Sequence, residues 1–159
     1  MSARPTSQEP PSLEAFPSRL RDVRPRALST RRKAALAAEI LRAYVQVRWR
    51  LWRTDLPRTL AAARARRDAP AAQGRRESLV LGTRLGQAVG RTLRLLPTDD
   101  RCLLQSLVLT RLLADRGIDS LLVVGVLVEP EFAAHAWVES DDVPLLPTSP
   151  SAYARLIRM

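Results

Sequence analysis

The chain carries one cysteine, one histidine and one lysine in 159 residues, and only 4% of it is aromatic. Each scarcity excludes something. A lone Cys102 cannot close an internal disulfide, and one thiol plus one imidazole is too few for an ordinary structural zinc site. A reducing, cytoplasmic setting is the expectation. No apolar run approaches the roughly 18 or more residues of a membrane span. The opening MSARPTSQEPPSLEAFPSR lacks both the charged-then-apolar order of a signal peptide and a small-residue cleavage site. The GxxxxGK[ST] spacing of a phosphate loop is absent too. Few aromatics also argue against a base-stacking surface.

What is present is a folding-competent composition. Apolar residues make up 46% of the chain, enough for one domain with a tail. The net charge is +10, and every basic residue except Lys33 is arginine. The arginines are spread along most of the chain rather than gathered in one run. Such spreading reflects genomic base composition as readily as function, so no dedicated nucleic-acid role is expected.

Residues 1–28 hold Pro5, Pro10, Pro11, Pro17 and Pro25 and read as a disordered or extended arm. Residues 29–159 read as one domain, with a helical part at 29–96 and a core at 97–148. Ser29 or Thr30 caps a long helix reaching about Asp55, stopped by Pro57. Leu36, Ile40, Ala43, Val47 and Leu51 form one buried stripe; Leu41, Val45, Trp49 and Trp52 form a second beside it. The plainer reading packs this helix on both sides. The sharper one makes it a partner-docking or membrane-surface helix, because Trp interleaves with Arg48, Arg50 and Arg53.

A short helix is expected over Arg58–Arg67, then a loop through RDAPAAQGRR, then a helix from Glu77 to Leu96. In that last helix Gly82, Gly86 and Gly90 share a face, which suits close backbone packing. Leu81, Leu85, Val89 and Leu93 supply its apolar side. Thr98-Asp99-Asp100 signals the next helix start and Gly117 its stop. Leu103, Leu104, Leu107, Val108, Leu112 and Leu113 mark that helix as central. Strands follow at Ser120–Val128 and Phe132–Glu139, separated by Glu129-Pro130-Glu131. The Asp141-Asp142 pair turns the chain into a short strand at Val143–Pro147, confined to an edge by Pro144. The tail SAYARLIRM reads as a short terminal helix.

The chemistry-bearing residues are Cys102, at the start of the central helix, and His135, inside the second strand. Free amides and the dipole at a helix start favour the thiolate and can receive an oxyanion. Taken alone, each is more often a buried structural residue. Their order, with the thiol on a helix start and the imidazole two elements later, is one that nucleophilic catalysis uses.

The run DDRCLLQSLVLTRLLADRGIDSLLVVGV, followed by FAAHAWVESDDVPLLP, resembles the leader-peptidase half of the lasso-peptide biosynthesis B protein. That half is a transglutaminase-like cysteine peptidase. Three landmarks carry the likeness: RCL, LxRLLxxRGI and HAWVE. The last recurs across the wider transglutaminase-like superfamily.

The resemblance implies an α+β, papain/transglutaminase-like core. In it the helix bearing Cys packs on a small antiparallel sheet bearing His, with additional N-terminal helices. It implies that Cys102 is the nucleophile and His135 the general base, with no cofactor and no metal. It implies a precursor leader peptide as substrate, a separate PqqD-like leader-recognition protein, and an ATP-dependent asparagine-synthetase-like cyclase as partners. Nothing before residue 96 resembles the PqqD-like domain, so the stand-alone split form is expected.

The third member of the family's Cys-His-Asp triad is missing, since its position corresponds to Pro147. If Asp141 and Asp142 form a hairpin tip, His135 faces Thr148; a one-residue shift makes it Pro147. The two aspartates then lie about 20 Å away, at roughly 3.3 Å per residue. Glu139 shares the face of His135 but sits too far along. Thr148 or Ser149 is left to orient the imidazole, in place of an aspartate worth about 10⁴ in rate. Two rivals stay open: a catalytically weak or inactive leader-binding scaffold of the same fold, and a basic amphipathic membrane- or nucleic-acid-binding protein.

Overall fold

The computed structural model describes residues 29–65, 74–96, 101–127, 132–146 and 153–159. Among these described residues, four helices precede and accompany a four-stranded antiparallel sheet. The helix at Thr30–Arg53 (α1) begins where the Ser29 hydroxyl accepts from the Arg32 amide. It ends at extended Thr54. Its first stripe packs as expected, with Ile40, Ala43 and Val47 buried. The second stripe does not: Val45, Trp49 and Trp52 are 63%, 52% and 80% exposed. The two-sided packing is therefore corrected. One face of α1 meets the rest of the molecule, and Arg53 stacks over Trp49 at 4.6 Å on the other.

Pro57 does not merely stop α1; it sits in the first turn of α2 (Leu56–Arg64). Proline suits that position because the amide it lacks has no intrahelical acceptor there. Asp55 caps α2 by accepting from the Arg58 amide at 2.8 Å.

The third helix, α3 (Arg75–Leu93), starts two residues earlier than its apolar pattern suggested and ends three residues sooner. Two of its three aligned glycines are pressed against Leu145. A Cβ on Gly86 would fall 2.0 Å from the Leu145 carbonyl oxygen, which only a glycine permits. Gly90 instead faces open space.

The central helix, α4 (Arg101–Ala114), contacts all three other helices and strands β1 (Leu121–Leu127) and β2 (Ala133–Ser140). Leu104, Leu107, Val108, Leu109, Leu112 and Leu113 are all buried. It closes as foreseen at Gly117, whose φ of 68° lets the Ile118 amide reach back to the Leu113 carbonyl at 3.0 Å. The expected cap at Thr98-Asp99-Asp100 lies outside the described residues, as does the arm at 1–28.

The sheet order is β3-β2-β1-β4. Asp141 and Asp142 both adopt positive φ, 50° and 62°, giving the two-residue turn whose twist matches a hairpin. β3 is shorter than expected, Val143–Pro144. Beyond it Leu145 lays its side chain against Gly82 and its backbone carbonyl against Gly86.

The C-terminal tail overturns the helix reading. Ala154–Arg158 is a strand, β4, antiparallel to β1. Met159 and Leu122 exchange two backbone hydrogen bonds of 2.8 Å. The cause is long-range: β1 would otherwise present a row of unpaired amides and carbonyls along its outer edge.

Candidate active site

Alternation along β2 sorts its side chains onto two faces. Ala136 and Val138 join the apolar cluster shared with α4 and β1. His135, Trp137 and Glu139 therefore project from the opposite face. There Trp137 lies over Gly125 of β1, where a Cβ would meet the indole at 2.8 Å.

This second face is a connected column. The His135 ring stacks on Trp137 with centroids 6.1 Å apart, and Tyr153, just before β4, sits 5.3 Å from it on a tilt. The Trp137 indole donates to the Glu139 carboxylate at 2.8 Å. Arg155 donates to the same carboxylate at 2.8 Å, and Arg158 approaches it at 3.5 Å. Glu139 is fully buried, so these partners replace the water it gave up. Burial also holds the His135 imidazole below its ordinary pKa of 6.5. The ring is consequently neutral at pH 7, the form that accepts a proton.

Cys102 occupies the second position of α4, half-buried against the apolar cluster. Ser106, one turn further on the same side of the helix, is fully buried. Its hydroxyl donates to the Ala136 carbonyl at 3.1 Å. This bond sets α4 against β2 at the residue next to His135.

The local reason is a gap in the ladder. The Val138 carbonyl is taken by the Leu145 amide at 2.9 Å. Carbonyls two apart point the same way, so Ala136 needs the next donor. Ser106 supplies one from α4.

Cys102 thus lies one helical turn, about 5.4 Å of rise, from a residue bonded to the neighbour of His135. The two side chains are not hydrogen-bonded to each other among the described residues, and they stand on different sides of β2. Cys102 packs against the cluster that holds Ala136 and Val138, while His135 stacks with Trp137 and Tyr153 on the other face. No described carboxylate orients the imidazole. Glu139 is committed to Trp137, Arg155 and Arg158; Asp141 pairs with Arg75 at 3.0 Å, and Asp142 with Arg158. Pro147, Thr148 and Ser149 lie outside the described residues, so the orienter expected at Thr148 does too. Among the described residues the hairpin register pairs Glu139 with Pro144 and Ser140 with Val143.

Sequence reasoning missed three residues of this site. Ser106 was detectable as the polar member of an apolar helix, four residues after Cys102. Tyr153 and Arg155 were hidden by the helical reading of the tail. Among the described residues no group of three His, Cys, Asp or Glu side chains converges to hold a metal. No described helix is long and apolar enough to cross a membrane.

A comparison with curated proteins and one with solved structures return no significant match. A family model does match, over residues 41–158, and it is that of the transglutaminase-like superfamily. The match starts within α1 and runs into β4, so it takes in the helices, the Cys102 helix start and the His135 column. With most of its length under that model, the chain belongs to the transglutaminase-like superfamily.

Proposed function

We propose that the chain is a cysteine peptidase that removes the leader from a ribosomally made precursor peptide, as in lasso-peptide maturation. The observation that carries this reading is the Ser106–Ala136 bond, which seats the Cys102 end of α4 beside the strand bearing a neutral imidazole. In this reading the Cys102 sulfur attacks the carbonyl carbon at the leader–core junction, and its proton passes to His135. Free amides at the start of α4 receive the oxyanion. The tetrahedral species collapses as His135 returns the proton to the leaving amine, leaving a thioester on Cys102. Water, deprotonated by His135, then attacks the thioester and releases the leader acid. The reading requires the end of β2 to rearrange when substrate binds, because in the free chain the imidazole stands on the face of β2 opposite to the one packed on α4.

The partners in this reading are a separate PqqD-like protein that delivers the leader and an ATP-dependent asparagine-synthetase-like cyclase that uses the freed core. A reducing cytoplasm belongs to the same reading, because the single thiol must stay reduced. The test is mass spectrometry of precursor incubated with this chain and the PqqD-like protein. Cys102→Ala is expected to abolish the cleaved products while leaving the melting temperature within a few degrees of the parent. Cleavage that survives the substitution would remove the assignment.

One observation favours a second reading, a leader-binding scaffold that does not cut. Glu139, Asp141 and Asp142 are each engaged by arginines, so among the described residues a Cys–His dyad has no carboxylate behind it. Precursor that is bound but left intact by the parent chain would select this reading.

A further inference from the structure

Between the last turns of α3 and the first turn of α4 lies a cleft of about 470 Å³, lined by Gln87, Gly90, Arg91, Arg94, Arg101 and Gln105. This is within the size range of small-ligand sites, about 300–1,000 Å³. Three arginines from two helices converge on it, and among the described residues none of the three guanidinium groups has a carboxylate partner. Elsewhere Arg75, Arg111, Arg116, Arg155 and Arg158 are paired with acids, whereas Arg42, Arg48, Arg50, Arg53, Arg76 and Arg84 have none among the described residues either. It is the convergence of three guanidinium groups on one cleft that marks the place. Arg101 immediately precedes Cys102, and Arg101 and Gln105 form the helix stripe next to the one carrying Cys102 and Ser106.

The geometry points to this cleft as a subsite for an acidic stretch of the substrate peptide, held beside Cys102 by Arg91, Arg94 and Arg101. The assignment rests on the peptidase reading above and gives it a substrate class. Guanidinium forks match carboxylates with paired hydrogen bonds. The carboxamides of Gln87 and Gln105 each offer a donor and an acceptor, which a peptide backbone uses and a phosphate, an acceptor only, does not. Gly90 leaves room on the α3 side, where nothing lies within 4 Å of the position a Cβ would take. No aromatic ring lines the cleft, as stacking on a nucleic-acid base would require.

The test is fluorescence anisotropy on the full chain with labelled hexaglutamate, hexaglutamine and hexathymidylate at low ionic strength. Hexaglutamate is expected to bind at least about tenfold more tightly than hexaglutamine, and more weakly as salt rises. The combined variant Arg91→Glu, Arg94→Glu, Arg101→Glu should lose that tenfold, and Arg91→Gln, Arg94→Gln, Arg101→Gln should lose part of it. Arg31→Glu, Arg32→Glu, Lys33→Glu makes the same charge change at the exposed start of α1 and should cost less than about threefold. Equal losses in the two Glu variants would overturn the site, because binding would then follow net charge alone. Tighter binding of hexathymidylate, lost in the same cleft variant, would overturn it in favour of a phosphate chain. Cys102→Ala should bind all three probes as the parent does. No bond is cut in this assay, so a failed cleft leaves the peptidase reading standing, and failed cleavage leaves the cleft standing.

Discussion

On one face of β2, Ala136 and Val138 press into the leucines of α4; on the other, His135, Trp137 and Glu139 stand among Tyr153, Arg155 and Arg158. The first face is held by area removed from water, which is indifferent to direction. The second is held by directed contacts, each polar atom aimed at a specific partner. The comparison separates what folds this domain from what gives it a reactive group. Apolar packing positions the strand, and the rings of Trp137 and Tyr153 stack against the one imidazole on its other face, whose partial burial lowers its pKa.

Substitutions on the two faces should fail differently. The largest expected effect is on the apolar side: Leu107→Ala, at a fully buried α4 position, should cost about 2–5 kcal/mol in chemical denaturation. Next, Glu139→Gln keeps an acceptor for the Trp137 indole but removes the charge that Arg155 and Arg158 meet. Both arginines are 44% exposed and recover water, so the loss should be nearer about 1–3 kcal/mol. The ring current that Trp137 casts on His135 should change with it, read as a shift of the imidazole proton signals. A variant that loses stability without moving those signals would break the claim that the column is one unit.

Smaller still is the effect of one proton. Because folding lowers the pKa of His135, the unfolded chain binds a proton first as pH falls below 6.5. Stability should therefore decline from pH 6.5 downward until the folded ring is charged as well, and be flat with respect to this group above 6.5. His135 is the only histidine, so His135→Asn should remove that slope between pH 5 and 6.5. The smallest effect belongs to α1: Trp52→Ala, at an 80% exposed position, should change stability by no more than about 0.5 kcal/mol.

The same contrast explains what could be read from the sequence. Local signals were sufficient for α1, for the Leu-rich α4 with its Gly117 stop, and for the hairpin closed by Asp141 and Asp142. Each is decided by neighbours within a few residues. The strand at Ala154–Arg158 was not legible, because ARLIR is a strand only in answer to the open edge of β1, some thirty residues away. The exposed Trp49 and Trp52 misled for a related reason: a second apolar stripe says that a helix has two sticky faces, not that its own chain covers both. For the site, the thiol on a helix and the imidazole on a strand came from residue types in order. The Ser106 bridge joins a carbonyl on β2 to a hydroxyl thirty residues earlier on another element, which no local pattern announces. The committed state of Glu139 needed the tail to be a strand.

The account turns on whether the Cys102 thiol answers to the His135 ring. The most direct measurement is the rate of iodoacetamide alkylation of the single thiol across pH 5–9, in the parent and in His135→Ala. The account predicts that the parent reacts at pH 7 at least about tenfold faster than an ordinary exposed thiol, and that the variant falls back toward the ordinary rate and pH profile. Superimposable profiles for the two proteins would contradict it.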